Sequence, residues 1–203
     1  MNVDVVRDDS SLVRETIETR HYLHRYPDAR SLPFGYRLIV NGSDFAADGL
    51  PHGIVIMKKP QHLKQRFLFG YPGLPTQWQV LDLARVWVHP QWQRRDESGH
   101  ALCMFSRMVS RVMKRVQRDW LVHHPPRYPH LPYHIELIIS YCDLLHHEGT
   151  GYRASNFKSF GVTSDRTKEV YFYQMQAPRW KWCLDDADVP AQMPMFEDVP
   201  IKW

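Results

Sequence analysis

YHIELIISYCDLLHHEGTGYRASNFKSFGVT, residues 133–163, decides how the rest of the chain is read. Ile135, Leu137, Ile138 and Ile139 form an apolar, β-branched run that reads as a buried strand. Asp143 stands at its end. A polar turn follows, carrying His146, His147, Glu148, Gly149 and Gly151. Tyr152–Phe157 then has the pattern of a short helix that stops against a new strand. Ligands of open α/β sheets sit outside the carboxyl ends of strands, so Asp143 and the turn are where chemistry is expected.

Working outward, residues 10–20 (SSLVRETIETR) start with serines suited to N-capping and continue as an amphipathic helix. His21-Tyr22-Leu23-His24-Arg25-Tyr26-Pro27 follows, a polar and aromatic segment. Tyr36–Val40 and Gly53–Lys58 read as strands, separated by a turn-rich segment. Residues 78–88 (WQVLDLARVWV) are the next strand, interrupted by Arg85, whose guanidinium needs an acid, a ligand or solvent. A long helix is expected over residues 98–121, with Ser98 at its start suited to an N-cap. Leu102, Phe105, Met108, Val109, Val112, Met113 and Val116 give it an apolar stripe. Arg107, Arg111, Lys114, Arg115 and Arg118 line its other side, as a solvated basic face or a phosphate-contacting stripe. Glu169–Met175 reads as the last strand. The expected order is helix, strand, strand, loop, strand, long helix, strand, short helix, strand, strand. It makes an α/β domain of residues 1–175, with residues 176–203 as an aromatic, proline-rich extension packed on it.

At 203 residues and 43% hydrophobic, the chain can bury one full core. No apolar run approaches the roughly 18 residues of a membrane span, and MNVDVVRDDSS lacks the features of a signal peptide. A soluble, cytoplasmic protein is expected. Cys103, Cys142 and Cys183 are widely spaced, which indicates neither a zinc knuckle nor a disulfide framework; Cys142 reads as a buried small hydrophobe. From Asp185 onward five acids face one lysine, a net charge of −4, which leaves residues 1–184 at +8. That basic body suits an anionic partner such as nucleic acid or the phosphates of coenzyme A. Residues 60–77 form a loop in which Lys64 and Arg66 mix with Phe67, Phe69 and Tyr71, suited to phosphate contact with base stacking, or to a lid packing its own aromatics. The proline-stiffened HHPPRYPHLPYH (123–134) holds four histidines without a firm ligand spacing, and no metal ligand set is assigned.

The pattern Tyr152-x-x-x-Asn156-Phe157-x-x-x-Gly161 resembles the end of a GNAT acyltransferase domain, where a short helix reads Y-x-x-x-G-F-x-x-x-G. Here Asn156 replaces the usual glycine. The order of elements over residues 21–175 is similar as well. The resemblance implies a mixed, mostly antiparallel central sheet flanked by helices, an acetyl-CoA or related acyl donor, and Tyr152 as the acid that protonates the departing thiolate. His89–Gly99 stands where GNAT enzymes carry a glycine-rich turn that cradles the CoA pyrophosphate. Arg94, Arg95, Ser98 and Gly99 are the candidate cofactor-binding residues there, although Gly99 is a single glycine preceded by Asp96 and Glu97.

The longer string from Asp143 through Gly149-Thr150-Gly151-Tyr152-Arg153-Ala154-Ser155-Asn156-Phe157 resembles the GNAT-related Mom-type proteins, which modify adenine in phage DNA. That resemblance implies transfer of an acyl or carbamoyl-type group to the adenine N6 amine, with DNA as partner. It implies catalytic roles for Asp143, Tyr152, Ser98, Arg85 and His21, with Asp143 taking the amine proton directly or through His146 or water. Lys64, Arg66, Arg107, Arg111, Lys114 and Arg115 are the candidate DNA contacts, and the histidines admit iron. Two alternatives stay open: an acetyl-CoA-dependent N-acetyltransferase acting on a small-molecule or protein amine, and a non-enzymatic nucleic-acid-binding module on a degenerate GNAT scaffold.

Overall fold

A computed structural model describes residues 1–60, 79–95, 102–123 and 135–175. Residues 61–78, 96–101, 124–134 and 176–203 lie outside the described residues, and with them most of the loop expected at 60–77, the histidine-rich segment and the C-terminal extension.

The described chain forms one mixed sheet between helices. Its strands are β1 (Val3–Arg7), β2 (Phe34–Val40), β3 (Gly53–Lys58), β4 (Val80–Val88), β5 (Leu137–Asp143), β6 (Lys158–Val162) and β7 (Lys168–Gln174). They lie in the order β1-β2-β3-β4-β5-β7-β6. Helix α1 is Ser11–Arg20, α2 is Met104–His123 and the single-turn α3 is Thr150–Ala154. All neighbouring strands are antiparallel except β4 and β5, which run parallel. No described helix is long and apolar enough to cross a membrane.

Most elements fall within two residues of their expected bounds, with three differences of physical interest. The chain begins with a strand rather than a helix. Val3 and Val5 alternate into the core and pair with Val40 and Leu38, but a two-residue apolar pattern beside a polar run is too short to stand out. Helix α2 starts at Met104 rather than 98, because Cys103 just before it takes a left-handed φ of 51° that no helix can contain. Helix α3 starts and ends earlier than expected. Gly149, at φ 70°, caps its start, and Asn156, at φ 63°, turns the chain out toward β6.

The apolar stripe of α2 closes one face of the sheet. Met108, Val109, Val112 and Val116 are fully buried and join Leu81, Leu83, Ile138 and Cys142 in the main core; a buried side chain of this size contributes about 1.5–3 kcal/mol. Helix α1 covers the other face, where Val13 and Ile17 meet Ile54, Ile56 and Trp87.

One irregularity positions everything that follows. The parallel ladder joins only Val80–Asp82 to Leu137–Ile139, yet β4 runs on to Val88 and β5 to Asp143. In β4 the register against β3 skips from Arg85 to Leu83, so Ala84 is a bulge at the point where the ladder stops. Past Asp82 and Ile139 no backbone rung joins the two middle strands.

Candidate active site

A cavity of about 1400 Å³ occupies this gap between β4 and β5. Side chains from both faces of the sheet line it. On the α2 side these are Met104 and Phe105 at the start of α2 and Tyr152 on α3; on the α1 side they are His21, Tyr22, Lys58, Asp82, Arg85 and Asp143. The opening therefore passes through the sheet.

On the α2 side, Tyr152 is packed by aromatic rings: Phe105 at 5.4 Å, Phe157 at 5.8 Å and a near-parallel Tyr171 at 5.0 Å. Burial pushes its hydroxyl well above the ordinary phenol range. The packing requires glycine on both sides. A side chain on Gly151 would strike the Phe105 ring, and one on Gly149 the Tyr171 ring. The Tyr171 hydroxyl is held in turn by Arg153 (2.9 Å) and donates to Glu169 (2.7 Å). The Tyr152 hydroxyl reaches Ser140 Oγ at 3.0 Å, and Ser140, 0% exposed, reaches the Leu83 carbonyl at 2.8 Å. Ser140 and Leu83 are the first residues past the last backbone rung.

On the α1 side, Asp82 is buried and lies 3.3 Å from Lys58 Nζ across the β3–β4 pair. Burial raises its carboxyl above the usual carboxylate range, an effect the Lys58 ammonium partly opposes. Arg85 bonds the Arg25 and Ala84 carbonyls, and burial works against its charge, with Asp82 the main compensating group. Asp143 ends β5 and uses Oδ1 to accept from the Leu145 amide at 3.0 Å, which shapes the turn carrying His146 and His147. Tyr22 stacks between these elements, with ring centroids 4.5 Å from His21, 4.9 Å from His146 and 5.1 Å from His147.

His21 is 5% exposed, and its Nδ1 accepts from the Leu23 amide. Burial, reinforced by the Arg85 charge, holds its pKa down at about 4 against an ordinary 6.5. The folded protein thus binds this proton less readily than the unfolded chain. The stability linked to a neutral His21 is complete above pH 6.5 and is lost as pH falls through about 4, a span worth roughly 3 kcal/mol. Urea unfolding at pH 7 and pH 4 is expected to show this loss, and His21→Asn to flatten the pH dependence. An equally steep dependence in the variant would assign the acid sensitivity to other groups.

The structure brings together Asp143, Tyr152, Arg85, His21 and Arg94, all of which line the cavity. Ser98, Gly99, Lys64 and Arg66 lie outside the described residues. Arg95 neighbours Arg94 without being among the lining residues. Arg107, Arg111 and Lys114 are exposed and line a second groove, beside α2. Arg115 departs from that stripe. Its guanidinium pairs with Asp119 at 2.7 Å, donates to the Val5 carbonyl and lies over the Tyr36 ring, so its charge is committed inward. Sequence reasoning passed over Asp82, Lys58, Tyr22 and Ser140. Asp82 carries the same signal that singled out Arg85, a charge inside an apolar strand. Among the described residues no three or more His, Cys, Asp or Glu are grouped to hold a metal ion.

No protein-family model and no curated protein matches the sequence. Solved structures match the fold. Arabidopsis thaliana NAA60 in complex with acetyl-CoA has a TM-score of 0.51 at 11% identity, covering 86% of this chain and 99% of that one. The ribosomal-protein-S18-alanine N-acetyltransferase from Escherichia coli has a TM-score of 0.46 at 10% identity, covering 90% and 100%. The paiA N-acetyltransferase of Thermoplasma acidophilum in complex with coenzyme A has 0.45 at 10%, covering 86% and 99%. The likeness to NAA60 establishes a GNAT-like fold for this chain.

Proposed function

We propose that this protein transfers an acyl group from a coenzyme A thioester to an amine. The observation that carries the reading is the cavity through the sheet, with a phenol on one side and a buried carboxylate on the other. The donor enters from the α2 side, where Leu102–Phe105 at the start of the 20-residue α2 face the cavity. The dipole of a helix start, with Arg94 beside it, suits the donor's phosphates. The thioester carbonyl then reaches the gap, where strand amides without a ladder partner can bond the oxygen as charge develops on it.

The amine comes from the α1 side. Its nitrogen attacks the carbonyl carbon as an N–H proton passes to Asp82, directly or through water. The C–S bond then breaks, and the thiolate takes the Tyr152 proton. Tyr22 and Arg85 shape the acceptor side. One solved structure of the same fold, Arabidopsis thaliana NAA60, was determined with acetyl-CoA, which supports a donor of that class. The test is release of free thiol from acetyl-CoA in the presence of an amine panel: peptides with free N-termini, polyamines and deoxyadenosine oligonucleotides. Amine-dependent thiol release with a matching mass gain on one acceptor is expected. No acetyl-CoA binding by calorimetry would overturn the reading.

A second reading, transfer to adenine in DNA, is favoured by one specific observation. The groove beside α2 is lined by Arg107, Arg111, Lys114 and Arg118, with no Asp or Glu among the described residues that line it. Three of these cations, replaced together (R107A/R111A/K114A), are expected to lower the slope of log affinity for duplex DNA against log salt by about 3. Fluorescence anisotropy across a salt series measures it. An unchanged slope, together with an unaltered nucleoside mass profile in DNA from expressing cells, would remove DNA as the acceptor.

A further inference from the structure

The two middle strands lose their backbone ladder after Asp82 and Ile139. The next residues, Leu83 and Ser140, are joined instead by a side chain, since the fully buried Ser140 hydroxyl donates to the Leu83 carbonyl at 2.8 Å. The same oxygen lies 3.0 Å from the Tyr152 hydroxyl. A serine has one proton to give. The Leu83 carbonyl can only accept, so in the resting protein the Ser140 proton goes to Leu83 and the Tyr152 proton goes to Ser140. Three groups thus form one chain, Tyr152 to Ser140 to Leu83, placed where the strands part. Leu83 and Tyr152 both line the cavity, whereas Ser140, fully buried, is not among the lining residues.

We infer that Ser140 is a positioning residue for acyl transfer, holding the Tyr152 hydroxyl at the vertex of the gap and stabilising the phenolate left when Tyr152 gives up its proton. The inference rests on the acyl-transfer reading above. Tyr152 alone is a poor acid, because the rings of Phe105, Phe157 and Tyr171 around it offer the phenolate no hydrogen bond. As the Tyr152 O–H bond breaks and the S–H bond of the departing thiol forms, the Ser140 O–H rotates from Leu83 to the phenolate oxygen. Nothing is oxidised or reduced. The proton shed by the amine later returns to Tyr152 through solvent. A neutral hydrogen bond becomes a charge-assisted one only in the step that needs it, which is the condition for raising kcat rather than binding.

The test combines spectroscopy with kinetics. The protein is labelled with 3-fluorotyrosine, whose more acidic phenol brings a raised titration into measurable range, and the Tyr152 fluorine resonance is identified by its loss in Tyr152→Phe. Ser140→Ala is expected to shift that resonance and move its titration to higher pH, while Ser140→Thr, which keeps the hydroxyl, restores both. In turnover, Ser140→Ala is expected to lower kcat roughly 10- to 100-fold with KM unchanged. Added to Tyr152→Phe, it should cost nothing more. A Ser140→Ala protein with reduced melting temperature but an unmoved Tyr152 resonance and titration would overturn the inference and leave Ser140 a strand pin. Additive losses of kcat in the double variant would overturn it as well. If the wild-type protein neither binds nor consumes acetyl-CoA, the acyl-transfer reading falls, while the fluorine result still decides whether Ser140 governs the Tyr152 hydroxyl.

Discussion

Asp82→Asn is expected to lower kcat for acyl transfer at least about 100-fold, the scale on which a positioned proton acceptor contributes. An attacking amine must lose a proton as its nitrogen bonds to the carbonyl, and a carboxylate accepts it well only if its own pKa is not far below the working pH. Burial moves Asp82 toward that condition by raising its pKa, while the cross-strand Lys58 favours the charged form. The pH dependence follows with a definite sign. Asp82 must be ionised to act, so kcat/KM should rise with pH through a value above the ordinary carboxylate range, and Asp82→Asn should lack that rise. Asp143→Asn is the comparison. Its carboxylate accepts from the Leu145 amide, a bond that an asparagine oxygen also accepts, so the turn carrying His146 and His147 should hold and kcat should fall little. Full kcat in Asp82→Asn beside an inactive Asp143→Asn would move the base to Asp143. A melting curve for each variant separates lost chemistry from lost folding, since removing the Asp82 charge leaves Lys58 without its ion pair.

Tyr152→Phe should be comparably severe, with kcat about 100-fold lower on a coenzyme A thioester. Phenylalanine keeps the ring that packs on Phe105, Phe157 and Tyr171, so the fold should hold and only the proton is lost. The diagnostic is the leaving group. Thiolates of more acidic thiols depart without protonation, so the deficit should shrink steadily across a series of acyl thioesters of falling thiol pKa. A deficit that stays constant over the series would mean that Tyr152 orients the donor and gives it no proton. Together the two variants assign opposite ends of one reaction to opposite faces of the sheet, the amine proton to the α1 side and the thiol proton to the α2 side.

Much of this architecture was legible from the chain. The α2 stripe, the strand at Gly53–Lys58 and the strand ending at Asp143 follow from local periodicity, which records which face of an element is apolar. Arg85 stood out as a charge in an apolar strand, and Tyr152 as part of a short-helix pattern. Periodicity does not record how far two strands stay paired, which depends on residues remote in sequence. Ser140 and Leu83 are 57 positions apart, and no local pattern marks either one. Lys58 and Asp82 become a pair only once β3 and β4 are in register. Arg115 shares the helical spacing of its basic neighbours but turns inward because Asp119 and Tyr36 lie within its reach. The sequence by itself determined the elements after the first strand, their apolar faces and several of the chemical types at the site, since each of these is set by interactions among near neighbours. The parting of β4 from β5, the phenol and carboxylate on opposite sides of it, and the hydroxyl that bridges its vertex were decided only in the tertiary structure, because each depends on where distant strands come to lie.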